Sequence, residues 1–297
     1  MRRKCSLYIL LLFIVAGFLL SCSSGKKIQS RRDAIVAVDS QLVQNKIALT
    51  QLDQHRKNKQ TQNEIDDTAS SRIQKFITKA KADIDKTVNQ NMVLIGETAV
   101  AREDWNKLKK ALTESQKSLK NNKDKVAFIN DLLKRNTVVK LDQDVIFGPG
   151  QYEVTPEVAA AIGSFFEPAA KEIDTFIKKY PSFPLSLVIT AKGYADGTTI
   201  AEGTELYKNL KLRLKLQTDN PDNKELNREL STARAERVIE LFKQFTTDRS
   251  GKGNTIRNIL YLYEGKGEVF PNPKVTDYKT DDPRRRVVLL FWSVFPD

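Results

Sequence analysis

Residues 185–197 read Leu-Ser-Leu-Val-Ile-Thr-Ala-Lys-Gly-Tyr-Ala-Asp-Gly. This apolar, β-rich run predicts a strand over Leu185 to Tyr194, closed by a turn that carries Asp196 and Gly197. Upstream, Pro156 to Tyr180 has the apolar spacing of a helix opened by an early proline, and Val138 to Phe147 reads as a strand ending in the Gly148-Pro149-Gly150 turn. Downstream come a helix over Ser231 to Phe245, a strand over Ile259 to Tyr263 and a last strand over Arg286 to Val294. The resulting order, β-α-β-α-β-β over residues 137–295, predicts an α+β domain with one sheet and helices on one of its faces.

A sharp change in composition separates this domain from what precedes it. All ten prolines lie at position 149 or later, and between Lys26 and Arg135 there is one glycine, Gly96, and three aromatic residues. Proline breaks helices, so its absence marks 28–135 as an all-α segment. Ile35, Val38, Leu42, Leu49 and Leu52 repeat every seven residues with Asn45 at an inward position. Ile65, Ala69, Ile73, Phe76, Ala80, Ile84 and Val88 form a second apolar stripe, and Ala101, Trp105, Leu108, Leu112, Ser115 and Leu119 a third. Polar stretches at His55 to Asn63 and Lys120 to Lys125 suggest turns. The segment is therefore a helical bundle folded back on itself, or a coiled coil whose continuous rod would reach roughly 160 Å at ~1.5 Å per residue. It reads as spacer and interaction surface, able to self-associate or to bind an envelope protein.

The 297 residues carry 49 Lys and Arg against 37 Asp and Glu, a net charge of +12, with 40% hydrophobic residues. That balance suits an anionic partner: nucleic acid, membrane surface or anionic polymer. The first residues choose among these. Arg2, Arg3 and Lys4 precede a 14-residue apolar run from Leu7 to Leu20, the pattern of an export signal and short of the ~20 residues that span a bilayer. The run ends Leu19-Leu20-Ser21-Cys22, which resembles the lipobox of bacterial lipoproteins, with residues 1–21 as signal peptide and 22–27 as a lipidated linker. The resemblance implies that Cys22 is acylated, and more than one acyl chain anchors stably. Without residues 1–21, 46 basic and 37 acidic side chains remain, a charge of +9. Export disfavours nucleic acid as partner, and with Cys5 removed and Cys22 acylated no thiol remains for a disulfide, a zinc site or a nucleophile.

The C-terminal region resembles a family. Val145-Ile146-Phe147 with Val154 and Pro156, the loop Gly193-Tyr194-Ala195-Asp196-Gly197, and Leu230-Ser231-Thr232-Ala233-Arg234-Ala235 with Val238 occur in order. Gly265, Gly267, Glu268 and Pro271, and then Arg285-Arg286-Val287, complete the set. Together these motifs are similar to the OmpA C-terminal domain, a peptidoglycan-binding module, over residues 137–295. The resemblance implies that Asp196 and Arg234 hold the diaminopimelate of a wall stem peptide. The residue types suit such a ligand, because Asp accepts from an ammonium and Arg forks onto a carboxylate. Arg234 is expected in the first turn of its helix, where the helix dipole would also favour an anion.

Tyr194, Ala195 and Arg284 depart from the family pattern, which often has His, Thr and Asn there. Tyr194 could stack on ligand or pack, and strand alternation allows only one of Arg285 and Arg286 to face the wall. Asp196 and Leu230 are separated by 34 positions, so residues 200–229 are an insertion. Its segment Tyr207 to Leu216 alternates basic and apolar residues and fits a strand or a cationic amphipathic segment, either packed beside the pocket or forming a basic wall. No catalytic site, metal or cofactor is expected: His55 is the lone histidine, and no nucleophile elbow or phosphate-binding glycine loop occurs. The expected function is non-covalent peptidoglycan binding by an outer-membrane lipoprotein facing the periplasm. The alternative is an envelope scaffold that assembles through its helices and does not bind the wall.

Overall fold

The computed structural model describes residues 2–98, 102–135, 137–148, 150–181, 183, 185–214, 220–249 and 258–296, with side chains from residue 25 onward except at 102, 248, 249 and 296. Cys22's side chain, Pro149, Ala101, Leu216 and the side chains of the apolar run 7–20 thus lie outside the described set. The chain is α+β: seven α-helices and a four-stranded mixed sheet among the described residues. It divides into two units, one of residues 1–53 with 75–130, the other of 54–74 with 131–297. This grouping does not follow a linear boundary near residue 136.

The first unit is built from parts of three helices, α1 (Arg2–Thr61), α2 (Asp67–Glu97) and α3 (Arg102–Lys134). Its contacts run antiparallel: Lys46 pairs with Asp85 while Asn91 donates to Asp39, and Asn91 also donates to Ser115 while Lys125 pairs with Asp83. Ile35, Leu42, Leu49, Ala80, Ile84, Leu108 and Leu119 are buried, so all three stripes face the interior. This is a folded-back bundle in place of a continuous rod. Asn91 fills a buried position at which its amide serves two helices at once, a polar contact that fixes their register. No helix among the described residues is long and apolar enough to cross a membrane.

Both expected turns shift. Residues 55–61 remain helical and the chain reverses over 62–66, while Lys120 to Lys125 lie inside α3. The polar run contains neither Gly nor Pro, and Asn122, its one buried member, donates to the Ser118 carbonyl one turn back. A polar run whose charges point outward continues a helix. The second break falls instead between Glu97 and Arg102, just after Gly96.

In the second unit the sheet order is β1-β4-β2-β3, with β1 (Val138–Asp142), β2 (Leu185–Gly193), β3 (Asn258–Gly265) and β4 (Val287–Pro296). β4 is antiparallel to β1 and β2, and β2 is parallel to β3. The expected strand over Val138 to Phe147 stops at Asp142, whose carboxylate accepts from the Asp144 amide and opens a short helix, α4 (Gln143–Ile146). Helix α5 (Pro156–Lys179) buries Ile162, Phe166, Ala169, Ala170, Ile173, Phe176 and Ile177 despite Pro168 in its interior. Five buried isoleucine and phenylalanine side chains at about 1.5 kcal/mol or more each outweigh the ~3 kcal/mol of an interior proline. Phe166 packs against Phe242 of α7 (Asn223–Arg249) with ring centroids 5.0 Å apart.

Helix α7 crosses one face of the sheet so closely that a methyl on Gly193 would overlap the Ser231 carbonyl, and one on Gly265 would overlap Thr232 and the Arg228 carbonyl. Side chains alternate along β2, so Lys192 points to the opposite face, where it pairs with Asp67 of α2 at 3.2 Å. Arg72 of the same helix lies over Phe295, 5.6 Å from the ring centroid. The sheet is therefore covered on both faces, not one. A strand so enclosed carries apolar residues in nearly unbroken succession, which is why all nine residues of β2 are buried.

Candidate functional site

A cleft of about 710 Å³ opens at the carboxyl end of β2. Backbone bonds build its floor. Tyr194 N–H donates to the Val287 carbonyl, Ala195 N–H to Gly267 and Gly197 N–H to Thr280, so the loop after β2 is tied to the residues flanking β3 and β4. Asp196 is thereby held with its side chain in the cleft. One carboxylate oxygen accepts from the Thr198 amide at 3.1 Å and the other from Arg286 Nη1 at 2.9 Å.

Arg234 reaches the same cleft from α7. Its Nε donates to the Gln151 carbonyl at 2.9 Å and its Nη1 to Gln143 Oε1, leaving Nη2 without a hydrogen bond among the described residues. The guanidinium is 5.4 Å from the Phe147 ring centroid. Burial pushes Arg234 down to about 10, with Asp144 and Asp196 opposing the shift and Arg286 adding to it; it remains a cation at neutral pH. The first-turn placement is not met. Helix α7 begins at Asn223, about three turns earlier, so the dipole effect, which fades within one turn, does not reach Arg234.

Of the terminal arginine pair, Arg286 lines the cleft and Arg285 does not. Arg286 bridges two carboxylates: Nε and Nη2 donate to Asp144 at 3.0 and 2.8 Å, and Nη1 to Asp196. The Asp144 bond, and then that of Asp196, raise its pKa above the ordinary arginine value against a partial burial penalty. Arg285 is buried and donates to the carbonyls of Lys279, Thr280 and Glu268, which assigns it to loop architecture. Tyr194 also lies outside the cleft. It packs with Val287, Leu289 and Phe291, its hydroxyl accepts from Asn63 Nδ2 at 2.7 Å, and burial pushes its pKa up to about 12.

The segment Tyr207 to Leu216 contains a helix, α6 (Glu205–Leu214), where the alternation had allowed a strand. Leu210 packs on Leu226 and Leu230, and this apolar anchor selects the helix. The insertion faces the cleft through Ile200, Ala201, Thr204, Leu206 and Asn227, so it contributes a largely apolar flank with one amide. Among the described residues its basic side chains do not line the cleft, and Arg213 pairs with Glu229 and Glu236, at 2.8 and 2.7 Å.

Three further residues complete the site. Gln143, fully buried, donates through Nε2 to the carbonyls of Tyr194 and Val287 while its Oε1 receives Arg234. Asp144 holds Arg286, and Asn227 donates to the Thr198 carbonyl and to Glu268. The strand reading of 138–147 hid the first two, because alternation would have sent Gln143 and Asp144 to opposite faces. The local signal for α4 is Asp142, a residue type preferred at helix N-caps, which the strand reading passed over.

The cleft thus holds two carboxylates, both paired with Arg286, and a second guanidinium, Arg234, with one unused donor nitrogen, a formally neutral set. Such a pattern complements a zwitterion better than a simple ion. Among the described residues no three His, Cys, Asp or Glu side chains are grouped to hold a metal ion. No family model, curated protein or solved structure matches the chain.

Proposed function

We propose that residues 137–295 form an OmpA-like module that binds peptidoglycan non-covalently, through the zwitterionic end of diaminopimelate in a wall stem peptide. One observation carries this reading: Asp196 and Arg234, distant in sequence, line a single open cleft, and Arg234 Nη2 has no hydrogen bond there. The ligand ammonium sits against Asp196 and Asp144, and its carboxylate takes the unused face of Arg234. Arg286 holds the two carboxylates in place. Tyr194 and Arg285 act through the fold. The module is read as binding without catalysis, since the cleft carboxylates Asp144 and Asp196 are both paired with Arg286.

The lipobox-like Leu19 to Cys22 sequence supports a lipid anchor in the outer membrane, with the protein facing the periplasm and the helical segment as spacer between lipid and wall. A scaffold reading, in which the helices recruit partners and the cleft is idle, draws on the existing Asp196–Arg286 pair at 2.9 Å. The two readings part in one experiment. Retention of the full chain on purified sacculi should fall sharply in Asp196→Ala and in Arg234→Ala, because truncating one side of a desolvated charge contact costs about 2 to 5 kcal/mol. Unchanged retention in both variants would leave the scaffold.

A further inference from the structure

The α/β unit has a second concavity, of about 560 Å³, that shares no lining residue with the cleft. Five cations line it, Lys59, Lys134, Arg135, Lys140 and Arg284, against one acid, Glu64. We infer that this pocket is a binding site for a phosphate group carried on a short organic ester.

Several of these cations are already committed. Arg135 is bound to Asp131 and Glu172, and Arg284 to Asp282 and Asp277. Glu64 is approached by Lys59 at 3.8 Å and by Lys274 at 3.7 Å. The side-chain ammoniums of Lys134 and Lys140 have no ion pair or hydrogen bond among the described residues. The arginine forks, best suited to planar carboxylates, are therefore occupied, and what remains are ammonium groups.

The uncommitted ammoniums come from two elements, Lys134 from the last turn of α3 and Lys140 from β1, beside Lys59 of α1, which donates to the Arg135 carbonyl at 3.1 Å. Point charges converging from several directions match the tetrahedral spread of phosphate oxygens, which a single planar fork does not. The floor includes Val138, Val275 and the buried Val287 and Leu289. Its low dielectric strengthens the field of the lysines and offers contact to the carbon part of an ester. Lys134 and Lys140 are exposed at the rim of the pocket, and Lys59 is largely buried in it.

The phosphate could arrive on a phospholipid headgroup or on a soluble ester, and the experiment separates the sources. The full chain is titrated calorimetrically with glycerol 3-phosphate and with inorganic phosphate at low salt, and sedimented with phosphatidylglycerol and with phosphatidylcholine vesicles. Each measurement is repeated on Lys134→Gln/Lys140→Gln. The expected result is saturable, salt-sensitive binding weakened about tenfold or more in the double variant. If the double variant also loses sedimentation specific to phosphatidylglycerol, the source is lipid; if only soluble binding falls, it is a free ester. Absence of both kinds of binding, or binding equal in the double variant, overturns the inference. Asp196→Ala should bind phosphate as the unmodified chain does, so failure here and failure of the wall-binding reading remain distinguishable.

Discussion

At the scale of single residues, the site depends on glycines that let α7 approach the sheet and on polar side chains that hold Arg234. Gly193→Ala forces α7 away from β2, because the obstructing atom is the Ser231 backbone carbonyl, which has no rotamer through which to yield. Its expected cost is about 3 kcal/mol, at the upper end of overpacking effects, read as a lowered urea midpoint. Tyr194 supplies a test with a sign. Its folded pKa lies near 12 against an ordinary value near 10, raised first by burial, so the neutral hydroxyl is favoured in the folded chain. The stabilisation is fully present below about pH 10 and is lost as pH rises toward 12. The stability advantage of the unmodified chain over Tyr194→Phe should therefore be constant below pH 10 and shrink by roughly 2 kcal/mol by pH 12. A difference that is flat across that window would contradict the buried hydroxyl.

At the scale of elements, the α1–α2 turn determines how Tyr194 is held. Asn63 has a φ of +57° and donates both to the Tyr194 hydroxyl and to the Pro271 carbonyl. Asn63→Ala loses the hydrogen bonds and strains the backbone, whereas Asn63→Gly loses only the bonds. Thermal denaturation should find both less stable than the unmodified chain, with alanine the worse by about 1 kcal/mol; the reverse order would contradict the left-handed turn. This turn also marks where sequence reading stops. The strand periods at Leu185 to Tyr194 and Ile259 to Tyr263, the helix after Pro156 and the apolar stripes were legible because each burial pattern is local. Asp196, Arg234 and Arg286 were legible as chemically suited residues in ordered motifs. The packing of residues 54–74 on the sheet was not, since Asn63 looks like an ordinary turn residue and Asp67 and Arg72 like ordinary helix-surface polar residues until their partners, over a hundred positions away, are in place. Gln143 was illegible for the same reason: its three partners come from β4, α7 and the loop after β2.

At the scale of the whole molecule, a fragment beginning at residue 137 would lack the Asp67 and Asn63 contacts, so wall binding belongs in assays of the full chain. The positive charge of the chain would attract any polyanion, whereas the formally neutral cleft, on the proposed reading, would select for paired opposite charges; only the second would give specificity. Sacculus retention that survives Asp196→Ala but disappears at high salt would therefore report the former and not the latter. The most direct measurement is a calorimetric titration of the full chain with two soluble stem peptides, one with diaminopimelate and one with lysine at the same position. Lysine keeps an ammonium but lacks the second α-carboxylate, the group assigned to Arg234. The diaminopimelate peptide should bind at least about tenfold more tightly, from one charge-assisted contact of roughly 1.5 to 3 kcal/mol, and Arg234→Ala should erase the difference. Equal affinity for the two peptides would contradict the assignment of that carboxylate to Arg234, and with it the wall-binding cleft.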